Sequence, residues 1–144
     1  MIRVRRYRSS DRAACARILK AAMALPPWNE RWPLARARQK IRDAEKHQTG
    51  FVAIEDGAPV AHLWATTYIA PQGTVLFVTN LQTDPAYHGK GAGTLLMRAA
   101  ERHARGRKIP IIELFTNNQA PAYRFYLKRG YRLSPYKTVI RKRL

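Results

Sequence analysis

The sequence predicts a mixed α/β fold. It reads as a mainly antiparallel sheet of six to seven strands, one pair of them parallel, with about four helices. Three observations carry this. Nearly half of the 144 residues are apolar or aromatic, enough for a core and too many for intrinsic disorder despite the charge. A hairpin pattern dominates the middle of the chain. The pattern then switches to strand, glycine turn, helix, strand, a βαβ unit that requires a parallel pair. We expect residues 1–144 to form a single domain.

The elements follow in order. Ile2-Arg3-Val4-Arg5-Arg6-Tyr7 alternates loosely and reads as an edge strand. Ser9, Ser10 and Asp11 offer helix caps before residues 13–25, where apolar residues recur at helical spacing. Arg17 and Lys20 interrupt that stretch, so it is a helix with one buried face and not the core of a signal peptide. Pro26-Pro27 stops it. Residues 32–46 read as a second helix, with Pro33 near its first turn and Leu34, Ala37 and Ile41 on one face. Residues 50–55 and 60–69 form a hairpin across Asp56-Gly57-Ala58-Pro59. Pro71-Gln72-Gly73 turns the chain into a further strand over 74–83. A helix over 94–105 follows the glycines, with Leu95, Leu96, Ala99, Ala100 and His103 on one stripe. Residues 110–115 are a short apolar strand, and 120–129 a helix ended by Gly130. Residues 131–144 are extended again, and such an exposed strand could serve a monomer or join a homodimer.

Composition narrows the function. Cys15 is the only cysteine, which excludes an internal disulfide and a thiolate metal cluster. It reads as a small buried residue. No apolar run approaches the ~18–20 residues of a membrane span, so we expect a cytoplasmic protein with no membrane partner. The net charge of +18 favours anions. The basic residues are scattered over residues 3–8, 36–42, 102–108, 124–129 and 141–143, which reads as a solvated surface. Nucleic acid is a rival partner, supported by charge and by Tyr123, Phe125, Tyr126 and Tyr131 among Arg and Lys. No helix-turn-helix or zinc pattern accompanies them.

Residues 87–94 carry the chemistry. A strand that runs into glycines and then a helix makes an anion site: the first helical N–H groups lack partners, and the helix dipole adds partial positive charge. Gly89, Gly91 and Gly93 let the backbone approach phosphate oxygens, and Lys90 adds a full charge. The spacing fits neither the P-loop nor the Gly-x-Gly-x-x-Gly dinucleotide pattern. A glycine turn without ligand stays open from this segment alone.

The segment Leu81-Gln82-Thr83-Asp84-Pro85-Ala86-Tyr87-His88-Gly89-Lys90-Gly91-Ala92-Gly93-Thr94-Leu95-Leu96 resembles the acetyl-CoA-binding motif of the GNAT superfamily of N-acetyltransferases. Farther on, Ala122-Tyr123-Arg124-Phe125-Tyr126-Leu127-Lys128-Arg129-Gly130-Tyr131 is similar to that family's second motif. The element order agrees along nearly the whole chain. The resemblance implies a GNAT-like sheet with a splayed, central parallel pair and helices on both faces. It implies acetyl-CoA as donor. The backbone of His88, Gly89, Lys90, Gly91, Ala92, Gly93 and Thr94 would cradle the pyrophosphate. Leu81, Gln82 and Thr83 would line the pantetheine arm, with Leu81 and Thr83 pairing to it as an extra strand would. Tyr126 would be the general acid that protonates the departing thiolate. Two departures stand out: His88 replaces the family's usual Gln or Arg, and Gln119 stands where the second motif often has an Asn, with Asn117 and Asn118 just before it, so that Gln119 or Asn118 would bond the pantetheine or order the loop.

The resemblance implies an amine acceptor, a small molecule or a protein, without naming it. The strand before the cradle has no carboxylate, which leaves Asn80, His62, Glu113 or water to deal with the amine proton. A lysine amine costs about 4–5 kcal/mol to deprotonate at pH 7, an α-amine near 7.8 about 1. A low-pKa amine is therefore easier to reconcile with a site that lacks a base. Trp28 and Trp32 are candidates to line the acceptor pocket or to close the core, and Glu30 to anchor a cationic amine. The charge disfavours polycationic acceptors and favours small neutral or anionic amines.

Overall fold

The computed structural model describes residues 1–144. The elements run β1 (Arg3–Arg6), α1 (Arg12–Met23), α2 (Leu34–His47), β2 (Thr49–Glu55), β3 (Ala58–Ala70), β4 (Gly73–Thr83), α3 (Ala92–Gly106), β5 (Ile111–Leu114) and α4 (Pro121–Lys128). Short 3₁₀ turns precede α1 at Ser9–Asp11 and α3 at Pro85–Tyr87. The strands lie in sequence order, β1-β2-β3-β4-β5. The first three junctions are antiparallel and β4–β5 is parallel.

The expectation of a mixed sheet with helices on both faces holds, but the strand count is five, not six to seven. Residues 131–144 form no strand, so the parallel pair lies at the sheet edge and not at its centre. An extended sequence needs a neighbour to become a strand. Pro135 has no N–H to give a ladder, and the tail is tied instead through Lys137, which bonds Glu113 at 2.8 Å. Its apolar residues Tyr136, Val139 and Ile140 stay exposed.

The two-residue period of the strands splits the core in two. Phe51, Ala53, Leu63, Ala65, Leu76 and Val78 face Leu96, Met97 and Ala100 of α3 and Tyr126 of α4. Val52 and Trp64 face the other way, onto Cys15, Ala16 and Leu19 of α1 and Ala37, Ile41 and Ala44 of α2. Asp11 fastens β1 to the start of α1. Burial alone would raise its pKa, but two bonds from Arg5 (2.8 and 2.9 Å) and one from the Arg8 N–H (2.8 Å) hold the carboxylate below its usual range.

One irregularity positions the site. In the β3–β4 ladder Trp64 pairs with Asn80 but Ala65 pairs with Val78, which leaves Thr79 as a bulge. The Thr79 hydroxyl bonds Gln48 Oε1 at 2.5 Å and reaches the Trp64 carbonyl at 3.3 Å. The β4–β5 pairing ends at the same place, with Val78 against Leu114. From Asn80 to Thr83 strand β4 keeps β3 but has no neighbour on its other side. The parallel pair is splayed, as expected.

Trp64 also fixes how close β2 must come. A Cβ on Gly50 would stand 2.5 Å from the Trp64 ring, and Trp64 is held in turn by Tyr7 in an edge-to-face contact at 4.6 Å. Gly50→Ala is expected to lower unfolding free energy by about 1–3 kcal/mol through overpacking, measured by urea denaturation. A change within about 0.5 kcal/mol, as at an ordinary surface site, would contradict this packing.

Candidate functional site

The turn between β4 and α3 is built by local geometry. Asp84 accepts the Ala86 N–H at 2.9 Å and so caps the 3₁₀ turn that carries the chain away from β4. Gly89 and Gly91 then adopt φ of +75° and +88°, the left-handed region that side chains resist. Gly91 is the N-cap of α3 and has no side chain to satisfy the first N–H groups of the helix. A Cβ on Gly89 or Gly91 would meet no protein atom within 4 Å, so the space in front of the turn is open. The result is a row of backbone donors without backbone partners, Gly89 to Thr94, at the positive end of a 15-residue helix. His88 stands apart: its N–H is engaged by the Pro85 carbonyl at 3.4 Å, and its side chain is exposed. Lys90 lies over the Tyr87 ring at 5.1 Å, beside the donors.

The gap left by β5 opens beside this row. The Asp84 N–H bonds the Val60 carbonyl of β3 at 2.8 Å. By strand alternation the backbone groups of Gln82 also face β3, whereas those of Leu81 and Thr83 face the gap. The Gln82 side chain turns toward α1, where its amide contacts Met23 Sδ at 3.9 Å and Asn80 Oδ1 at 3.4 Å. Among the residues expected to line the pantetheine arm, Gln82 therefore presents its side chain to the opposite face of the sheet.

Tyr126 is buried among the residues of β3, β4 and α3, and Leu81 and Leu114, which flank the gap, pack on the same cluster. Phe125 and Tyr131 meet its ring edge-to-face at 5.1 and 5.9 Å. Burial pushes the Tyr126 hydroxyl up to about 12, so it stays protonated at neutral pH.

Helix α4 is locked to the turn by contacts that the sequence does not advertise. The Phe125 ring lies where a Cβ on Gly93 would stand 3.3 Å away. Arg129 stacks on Phe125 at 3.7 Å, donates to the Phe125 carbonyl at 2.9 Å, and donates to Thr94 Oγ1 in the first turn of α3. The loop before α4 is ordered by Asn117, whose Oδ1 accepts the Gln119 N–H at 2.8 Å. Asn118 and Gln119 line a cavity of about 720 Å³ along α4. The third glycine hints at the Phe125 contact, and an Asn ahead of Pro121 hints at the loop turn. Nothing in the pattern points to Arg129.

The model of the acetyltransferase (GNAT) family matches residues 15–131. The chain belongs to the GNAT family. A mycothiol acetyltransferase from Thermomonospora curvata is 28% identical over 123 residues, covering 84% of this chain and 40% of that protein. The chain thus spans about two fifths of that curated relative's length. Among solved structures, a possible acetyltransferase from Clostridium difficile 630 superposes with a TM-score of 0.84 at 14% identity, covering 100% of this chain and 99% of the other. An aminoglycoside N-acetyltransferase in complex with CoA gives 0.80 at 16% identity, covering 100% and 96%. At these identities the structures speak for the GNAT fold alone. No helix is long and apolar enough to cross a membrane, and no group of three or more His, Cys, Asp or Glu could hold a metal ion.

Of the candidate bases of this GNAT chain, Glu113 and His62 lie away from the gap, and Asn80 stands on the strand that borders it. Glu113 belongs to the paired part of β5, opposite Phe77. Lys137 at 2.8 Å and Tyr68 at 2.7 Å hold its carboxylate below the usual range. Asn80 is an amide that bonds Thr79 and Gln82. His62, opposite Gln82, is wholly buried with both ring nitrogens unpartnered. Burial pulls it down to about 3. Cys15 is pushed up to about 12 by burial and is no nucleophile. Glu30 is occupied by the Trp32 indole N–H at 2.8 Å, and Trp32 packs against the α1–α2 core.

His62 is therefore neutral in the folded protein and charges only on unfolding at moderate pH. Its folded pKa of about 3 lies below the ordinary 6.5. Its contribution to stability is whole above pH 6.5 and drains as pH falls toward 3, by up to about 1.4 kcal/mol per pH unit. The His62 ring resonances should show no titration by NMR between about pH 5 and 8. A midpoint inside that window would contradict the burial.

Proposed function

We propose that the chain is an N-acetyltransferase that moves the acetyl group of acetyl-CoA to a primary amine. One observation carries the reading: the glycine-built row of N–H donors opens onto the unpaired edge of β4, so one continuous surface offers donors for a pyrophosphate and strand-like partners for an amide-bearing arm. Gly89, Lys90, Gly91, Ala92, Gly93 and Thr94 would hold the pyrophosphate, with His88 contributing little. Leu81 and Thr83 would pair with the pantetheine amides. Asn118 and Gln119 would border the far side.

The chemistry runs by direct attack. The neutral amine nitrogen bonds to the thioester carbonyl carbon and a tetrahedral oxyanion forms. The carbon–sulfur bond then breaks. The leaving thiolate takes the Tyr126 proton, the ammonium proton leaves through water to solvent, and the Tyr126 phenolate regains a proton from solvent to close the cycle. A phenol at about 12 is protonated throughout the working range, whereas a thiol leaves at about 8.5. With His62 buried, Glu113 engaged by Lys137 and Tyr68, and Asn80 an amide, no side chain stands out as base, which supports an acceptor that is already partly neutral at pH 7. The net charge of +18 favours a small neutral or anionic amine over a polycation. The aminoglycoside enzyme's likeness, at 16% identity, is one of fold and does not bear on the acceptor.

An amine panel followed by CoA thiol release tests this. Low-pKa amines should turn over, and polycationic amines should be poor. No thiol release with any amine, together with no acetyl-CoA binding, would sink the reading. Tyr126→Phe should lower kcat by about 10²-fold while acetyl-CoA affinity is kept. The sign of the pH effect follows from the raised phenol: the rate should climb as the acceptor loses its proton, with no descending limb below about pH 10. A fall between neutral pH and that point would contradict Tyr126 as the acid.

A further inference from the structure

A cavity lies along α4, beside the glycine turn. It measures about 720 Å³, within the range of small-molecule sites. It adjoins the glycine turn through two contacts, Phe125 on Gly93 and Arg129 on Thr94. Arg124 and Lys128 line it from one face of α4, four residues apart, and Arg129 closes its end. None of these three takes part in an ion pair. Like charges at that spacing weakly destabilise a helix, so the cluster is no device for stability. Arg129 is held still by its stack on Phe125 and by two hydrogen bonds, which is the state of an arginine organised for an anion.

The acyl donor has a third part. Its thioester arm would follow β4 and its pyrophosphate would meet the α3 N-terminus. The remaining 3′-phosphoadenosine would sit beyond the cradle. Lys90, the one cation within the turn, is held over the half-buried Tyr87 ring. On the α4 side there is a concavity with three uncompensated cations. A phosphate monoester carries about −1.5 to −2 charges at pH 7 and makes strong charge-assisted bonds to such groups.

We propose that Arg124 and Lys128, with Arg129 bridging them to the cradle, form a site for the 3′-phosphate of the donor, so that the protein selects CoA over 3′-dephospho-CoA. This rests on the acyl-CoA reading above. Calorimetric titration of the full chain with CoA and with 3′-dephospho-CoA tests it. The unmodified protein should bind CoA at least about tenfold tighter, the order of one or more charged hydrogen bonds. In Arg124→Gln/Lys128→Gln the ratio should fall to within about twofold, with 3′-dephospho-CoA bound as before. Both side chains are exposed, so the fold should tolerate the change. Equal binding of the two ligands by the unmodified protein, or a preference that survives in the double variant, overturns the site. So does Lys90→Gln if that change, and not the α4 pair, abolishes the preference. Binding of neither ligand would instead sink the acyl-CoA reading itself.

Discussion

The parting of β4 from β5 after Val78 governs what this fold can do. A sheet edge is normally a liability, because its free N–H and C=O groups invite another chain. Here the free edge is short, begins after the Thr79 bulge and runs on into a glycine turn whose N–H donors lack backbone partners. The bulge is stabilised from the opposite face of the sheet by Gln48 and the Trp64 carbonyl. The gap is thus set by packing on the α1–α2 side, although it opens toward α4.

The two-faced core divides the labour. The α3–α4 face holds the anion-binding turn, Tyr126 and the α4 cavity together through Phe125 and Arg129. The α1–α2 face buries Trp64 and His62 and turns Asn80 and Gln82 toward the first helices. An acceptor entering from that face would meet amides and not carboxylates. That is why the burden of amine deprotonation falls on the acceptor's own pKa in our reading. A chain of +18 with few acids near the gap is consistent with it.

Legibility in the sequence followed range of interaction. The glycine turn was readable because positive φ and orphan N–H groups are local properties of Gly89 and Gly91. Helices α1 to α4 were readable from apolar period and from Pro and Gly punctuation, with ends shifted by a residue or two; Pro33 sits at the N-cap of α2 and not in its first turn. Thr79 was not readable as a bulge, since a bulge exists only in a ladder with a particular neighbour. Residues 131–144 have the pattern of a strand and lack the partner, which no local signal reports. Arg129 looked like one more surface cation among many. Its role depends on Thr94 and Phe125 converging from two helices, and Glu30 was likewise free in the sequence but engaged by Trp32 in space.

The donor assignment stands or falls on where acetyl-CoA touches the backbone. Amide chemical shifts of the labelled protein, followed as acetyl-CoA is added, report that residue by residue. The largest changes should fall on Gly89, Gly91, Ala92, Gly93 and Thr94 and on the free-edge amides of Leu81 and Thr83. Gln82, bonded to β3, and His88, engaged by Pro85, should move less. Shifts confined to the α2 surface or to the basic termini, with the glycine turn unmoved, would contradict the assignment.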